Sequence, residues 1–248
     1  MWDGIAGRFC ACKVSKEQEM LKREATFLQR IRHPLFAQYY DVKCYGNEVF
    51  LFMEYVPGMT LEEVLKREEG MSEQQAVYIV AEIAKGLCYL HEQNIPIIFC
   101  DVKPQNIMLS EKGRVKLLDF GSACEINTKA GVITGTVGYA APEQWEGGDK
   151  VGVYSDVYAL GRILQCMIKN KKIHRGLKNL IKECTRDDVN NRLPNMRSFL
   201  RGIEPYLEGN KCKILVLEIG AYLQKSNKNK YIFRQNVLKC AAKSYENR

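Results

Sequence analysis

The chain has 248 residues, a hydrophobic fraction of 46% and a formal net charge of +8, enough material for one large domain or two lobes around a sizeable core. No run reaches the roughly 20 apolar residues that span a bilayer, the best stretch, "ILVLEIGAYL" near 214–223, being short and interrupted by Glu218. The first residues, "MWDGIAGRFC", lack a basic segment followed by an apolar one, so no secretory signal is expected and a cytoplasmic location is.

In chain order, "RFCACKV" (Arg8 to Val14) alternates as a strand does, placing Phe9, Ala11 and Lys13 on one face and Cys10, Cys12 and Val14 on the other. A helix is expected from Ser15, capped by its hydroxyl with Gln18 reaching back. Met20, Leu21, Leu28 and Ile31 would mark its apolar face. Glu24 falls on that face, and a buried carboxylate costs several kcal/mol unless paired. The nearest plausible cation is the lysine of the preceding strand, but a partly exposed Glu24 at the edge of the stripe fits the pattern equally well.

"EVFLFMEYV" (Glu48 to Val56) reads as a buried strand, followed by a break at Pro57-Gly58 and a short helix from Thr60. Ser72 and Gln75 form a capping box opening a long helix whose Val77, Val80, Ile83, Leu87 and Leu90 recur every three or four residues. Then comes "IIFCDVKPQNIML", where an apolar run breaks into Asp101, Lys103 and Asn106 before resuming at Ile107. Such an island is either a surface turn or a reaction centre held by its apolar flanks. A strand, "RVKLLDF" (Arg114 to Phe120), the Gly/Thr-rich "GVITGTVGYAAPEQW" and a mainly helical remainder follow.

The ten cysteines are scattered without a repeated spacing, so reduced thiols are expected rather than a disulfide framework. Cys10 and Cys12 have no second pair or histidine nearby, and no metal site is expected there. Residues 205–248 carry nine Lys or Arg against three Glu, most of the net charge. With no aromatic interleaving or recognition motif, that tail reads as a basic helical extension of unknown role, and no nucleic-acid partner is expected.

Asp101 followed five residues later by Asn106 is a weak signal alone, as is Asp119-Phe120-Gly121. Together they supply a proton acceptor, an amide oxygen and a second carboxylate, the set that phosphoryl transfer from a magnesium nucleotide needs. Over about residues 5–204 the sequence resembles the catalytic domain of the eukaryotic-like, bacterial-type Ser/Thr protein kinases. The resemblance implies an α+β, bilobal protein-kinase-like fold: a small, incomplete β-rich lobe over 1–54, a mainly helical lobe over 58–204, and the extension beyond.

"CDVKPQN" resembles the catalytic loop of that family, implying Asp101 as catalytic base, Lys103 as a contact to the transferred phosphate and Asn106 as a metal ligand. "DFG" implies Asp119 as the second ligand, with Mg²⁺ or Mn²⁺ accompanying ATP. "CACK" implies Lys13 at the α- and β-phosphates, and "KREATFLQRIRHP" implies Glu24 as its partner. "LFMEYVPG" resembles the hinge, with Met53 at the adenine pocket entrance, the backbone of Glu54 and Val56 facing the base, and Ala11 and Met108 covering the ring. "GTVGYAAPEQW" resembles the peptide-receiving segment. Glu143 would pair with Arg192, Asp156 would brace the catalytic loop, and Lys103 with Thr136 implies a Ser or Thr acceptor on a protein substrate. Oligomeric state is open.

Two departures stand out. Only Met1 to Gly7 precede the lysine strand, so the first two strands and the glycine-rich loop are expected to be absent, implying a natural start upstream or a truncated product of weak activity. Cys100 stands where an arginine is usual, implying that phosphorylation of Thr128 or Thr134 is not the main switch. Phe99 replaces the usual His or Tyr and would pack with Phe120 and Leu28. The alternatives are a non-catalytic scaffold, argued against by the joint presence of Lys13, Glu24, Asp101, Asn106 and Asp119, and a small-molecule kinase, argued against by the peptide-receiving segment.

Overall fold

The computed structural model describes residues 1–3, 7–67, 70–126, 135–145, 150–169 and 171–207. The elements run β1 (Trp2–Asp3), β2 (Arg8–Ser15), α1 (Gln18–Arg30), β3 (Tyr39–Tyr45), β4 (Glu48–Glu54), β5 (Gly58–Thr60), α2 (Leu61–Arg67) and α3 (Glu73–His91). There follow β6 (Ile97–Ile98), β7 (Ile107–Ser110), β8 (Val115–Leu117), β9 (Cys124–Glu125), α4 (Pro142–Trp145), α5 (Val153–Met167), α6 (Arg175–Cys184) and α7 (Met196–Ile203). The fold is α+β, with a small antiparallel sheet ordered β1-β2-β4-β3 packed on α1 and a helical lobe built round α3, α5, α6 and α7.

The β2–β4 register sets Ala11 opposite Met53 and Lys13 opposite Leu51, so the lysine strand lies directly beside the strand that leads out of the small lobe. β3, not expected from the sequence, joins β4 through a tight turn at Gly46, whose φ of 54° lies in the left-handed region that favours glycine. Its alternating Asp41 and Lys43 hid it, because its apolar contribution is confined to a few half-buried positions. β5 was likewise unexpected; it pairs with β7, Gly58 opposite Ser110 and Thr60 opposite Met108, in a separate sheet that holds the strand following Asn106.

Helix α1 corrects the expected start. Ser15 still pairs with Val49 in the ladder, so it cannot cap, and its Oγ instead accepts from Glu17 N at 3.0 Å. The helix begins at Gln18 with no side-chain cap. Its buried face is Leu21, Glu24, Ala25, Phe27 and Leu28, while Met20 is 48% exposed. One step of about 100° separates Met20 from Leu21 and turns it outward. Ser72 and Gln75 do form the reciprocal capping box, and Val77, Val80, Ile83, Leu87 and Leu90 are all buried. Thr60 and Glu63 add a second such box at α2, Thr60 Oγ accepting from Glu63 N at 3.1 Å and Glu63 Oε2 from Thr60 N at 2.9 Å.

The core runs continuously from Leu21, Leu28 and Leu51 through Phe99, Leu117 and Phe120 to Leu160 and Phe199. A second, small cluster of Ile98, Cys100 and Cys124 lies apart from it, covered by Val151 and Val153. The stretch 214–223 and all but the first three residues of the basic extension lie outside the described residues, as do Thr128 and Thr134. Among the described residues no helix is long and apolar enough to cross a membrane.

Candidate active site

The site forms where β2 and α1 face the segment from Ile97 to Gly121. Lys13 Nζ lies 2.7 Å from Glu24 Oε2 and 2.8 Å from Asp119 Oδ1. Glu24 is 2% exposed, so the inward, paired arrangement holds and the edge position is excluded. Its other oxygen accepts from Phe120 N at 3.3 Å, which ties α1 to the Asp119-Phe120-Gly121 turn. Arg23 adds a bond to Gly121 O at 3.1 Å.

Burial would lower the pKa of Lys13, but hydrogen bonds to Asp119 and Glu24 outweigh it and hold the ammonium above its ordinary value. Burial pushes Glu24 up, more than the bond to Lys13 pulls it down. Asp119 goes the other way: against burial, the Lys13 contact keeps its carboxyl below the ordinary value. A charged lysine thus faces an ionised, half-buried carboxylate.

Asp101, Lys103 and Asn106 converge as closely. Lys103 Nζ lies 2.7 Å from Asp101 Oδ2 and donates to Thr136 Oγ1 at 3.0 Å, and Thr136 donates to Asp101 Oδ1 at 2.8 Å. Asn106 Nδ2 donates to Asp101 O at 2.9 Å and Oδ2 at 3.1 Å, which turns its amide oxygen away from Asp101. Leu118 N donates to Asn106 O at 2.8 Å, which ties the residue before the second candidate ligand, Asp119, to the backbone of the first. Asp119 and Asn106 together are hard oxygen donors, the kind Mg²⁺ and Mn²⁺ take.

Among the described residues two non-glycine positions have left-handed backbones, Cys100 at φ 66° and Asp119 at φ 73°. Such conformations cost about 1–3 kcal/mol each and persist only when their surroundings over-determine them. Asp156 does this for Cys100: fully buried, its carboxylate accepts from Phe99 N at 2.8 Å and Cys100 N at 2.9 Å, with His91 Nε2 at 2.9 Å. From the other side Gln144 Nε2 donates to Cys100 O at 2.9 Å, a contact sequence reasoning missed. Phe99 packs edge-on against Phe120 with centroids 5.1 Å apart, and Phe27 and Phe36 complete the aromatic support where Leu28 alone was expected.

Glu143 and Arg192 meet in a buried bidentate pair at 2.6 and 2.9 Å, and Ser155 Oγ donates to Glu143 at 2.7 Å. Of the residues expected round the base, Met53 and Met108 are half-buried and Val56 is buried. Glu54 N donates to Gln38 O at 2.8 Å, while its carboxylate takes Lys116 Nζ at 2.7 Å. Lys116, buried in β8 and also bonded to Phe36 O at 2.9 Å, is a second residue the sequence reading overlooked. A lone lysine in an apolar strand, three residues before Asp119, was its only signal.

The family model described as protein kinase domain matches residues 6–204. The chain belongs to the protein kinase domain family. Over 183 residues this kinase chain is 32% identical to the "cAMP-dependent protein kinase, catalytic subunit-like" of Caenorhabditis briggsae, covering 70% of the chain and 46% of that relative. It is 38% identical over 152 residues to "Serine/threonine-protein kinase PknB" of Mycobacterium leprae, covering 58% of the chain and 24% of the relative. With "Probable serine/threonine-protein kinase PknB" of Lactococcus lactis it shares 34% identity over 147 residues, 58% of the chain and 23% of the relative. The kinase chain spans less than half the length of these relatives.

Proposed function

We propose that this kinase domain transfers the γ-phosphate of ATP to a Ser or Thr hydroxyl of a protein substrate. The observation that carries the proposal is the hydroxyl of Thr136 seated on Asp101 at 2.8 Å and on Lys103 at 3.0 Å. An acceptor hydroxyl replacing it would find a carboxylate to take its proton and an ammonium for the transferred phosphate. Asp101 is the base, Lys103 the phosphate contact, and Lys13, positioned by Glu24, binds the α- and β-phosphates. Asp119 and Asn106 Oδ1 would hold Mg²⁺ or Mn²⁺. When bound, such an ion neutralises phosphate charge and orients the leaving group.

Adenine would lie between Ala11 and Met108 beside Met53, reading the backbone of Glu54 and Val56. Most of the rate enhancement comes from positioning and charge neutralisation, since the reaction demands little covalent work from the protein. ATP as donor and the free thiols of the eight described cysteines suit the cytoplasm. The test is phosphate transfer from labelled ATP with Mg²⁺ to a generic Ser/Thr protein, comparing wild type with Asp101→Asn and Asp119→Asn. Signal lost in both variants is expected; equal background in all three proteins would refute the proposal.

A further inference from the structure

Next to this site lies a pair of thiols that phosphoryl transfer does not use. β6 and β9 pair antiparallel with Ile98 opposite Cys124. β6 runs into Asp101 through Phe99 and Cys100, and β9 begins five residues after Asp119, so the two short strands are the roots of the base and of a metal ligand. Cys100 Sγ and Cys124 Sγ face each other at 3.7 Å, and the residues are 2% and 8% exposed. As small hydrophobes alone, two cysteines would fill this satellite cluster no better than alanine and valine. Facing sulfurs are a different matter, because they are about 1.7 Å from the S–S bond length of about 2.05 Å.

We propose that Cys100 and Cys124 form a reversible disulfide that lowers phosphate transfer, an inference that rests on the activity proposed above for its consequence but not for its chemistry. The two thiols are unequal. The hydrogen bond between them holds Cys124 below its ordinary pKa and, with burial, Cys100 well above it. Cys124, the more exposed, is therefore the attacking thiolate. With hydrogen peroxide as oxidant, the Cys124 thiolate attacks one peroxide oxygen, giving a sulfenic acid and releasing hydroxide. The Cys100 sulfur then attacks that sulfenic sulfur, the S–S bond forms, and its proton leaves with the hydroxyl as water. Two thiols are oxidised, one peroxide is reduced to two waters, and a dithiol restores the starting state by exchange.

The consequence follows from where the bond would pull. Drawing the sulfurs together moves Cys100 against the bonds from its N to Asp156 and from Gln144 to its O, which hold its left-handed backbone. The next residue is Asp101, and a 1 Å misplacement near reacting groups can cost about 10²-fold in rate. This left-handed, tightly held setting also disfavours the closed bond, which makes it labile and suits it to regulation more than to structure.

The experiment treats the full chain with hydrogen peroxide, blocks the remaining thiols, and maps linked peptides by mass spectrometry alongside labelled-phosphate transfer. The expected result is a Cys100–Cys124 linked peptide that has lost two hydrogens, a fall in transfer of at least about tenfold, and recovery of both on adding a dithiol. Cys124→Ser, with its fold checked by thermal melting, should keep the basal rate and lose the peroxide response; Cys124→Ala serves if the serine variant does not fold. Absence of the linked peptide overturns the proposal, as does a linked peptide with unchanged transfer, or an equal response in the Cys124 variant. If reduced wild type transfers no phosphate, the activity reading fails by itself, and the linked peptide still decides the chemistry.

Discussion

Two ion-pair systems sit at opposite ends of the functional segment. Glu143 and Arg192 are both buried, joined by two short bonds and surrounded by Ser155 Oγ, Tyr154 O, Arg186 O and Asp187 O. Lys13 and Asp119 are half-exposed, and Lys13 divides itself between Asp119 and the buried Glu24. A fully satisfied buried pair has no capacity left for a ligand, so it holds one geometry. The half-open cluster can exchange a protein contact for a phosphate or metal contact at little cost, because water already solvates part of it. The first system should therefore respond to mutation in stability and the second in activity.

The largest effect is expected at the closed pair. Arg192→Leu leaves Glu143 buried without its partner and should cost about 3–5 kcal/mol, read by urea unfolding; an unchanged midpoint would show that the pair is not a structural tie. Next comes Asp101→Asn, which should lower transfer by roughly 10²–10⁴-fold with the unfolding midpoint held. A matching loss of stability would erase the contrast between the two systems.

Lys13→Met tests the open cluster through pH. Removing the ammonium takes away the pull that partly offsets burial, so the folded-state pKa of Glu24, already raised, rises further. A raised folded pKa contributes stability that is full below the unfolded value and is lost as pH rises through the folded one. The variant's deficit in unfolding free energy against wild type, read by urea unfolding at each pH, should thus widen from mildly acidic to neutral pH, by on the order of 1 kcal/mol given water's access to Lys13. A gap that narrows with rising pH would mean Glu24 does not depend on Lys13. Asp119, with a depressed carboxyl, has the opposite sign: nucleotide–metal binding should be flat above the ordinary carboxylate range and fall only below it.

Smaller effects are expected away from both systems. Lys116→Met releases Glu54 and Phe36 O from their shared cation and should raise KM for ATP by less than about tenfold with kcat kept; a kcat loss with KM unchanged would place Lys116 in the chemistry instead of the hinge. Replacing Thr128 and Thr134 together by Ala should change activity by less than about tenfold, ~1.4 kcal/mol of barrier. A larger collapse would restore the arginine-free loop to ordinary phospho-control.

Much of the site was legible because its parts are local. Asp101, Lys103 and Asn106 lie within six residues, Asp119 opens its own turn, and the box at Ser72 is set by contacts three residues apart. Errors arose where one residue served two local rules. Ser15 could cap a helix or finish a strand, and the ladder with Val49 decided. Glu24 was ambiguous for the same reason, its helical position being compatible with edge or core until Lys13 and Phe120 N closed on it.

The sequence by itself determined the chemistry available, since residue type and short spacing set which groups can accept a proton, hold a phosphate or bind a hard cation. Only the tertiary structure decided which distant groups share a space: Lys116 beneath Glu54 across 62 residues, Gln144 on the carbonyl before Asp101, and Cys100 against Cys124. These contacts leave no periodic trace in the chain, because each depends on how separate elements pack on a common core rather than on the spacing within any one of them.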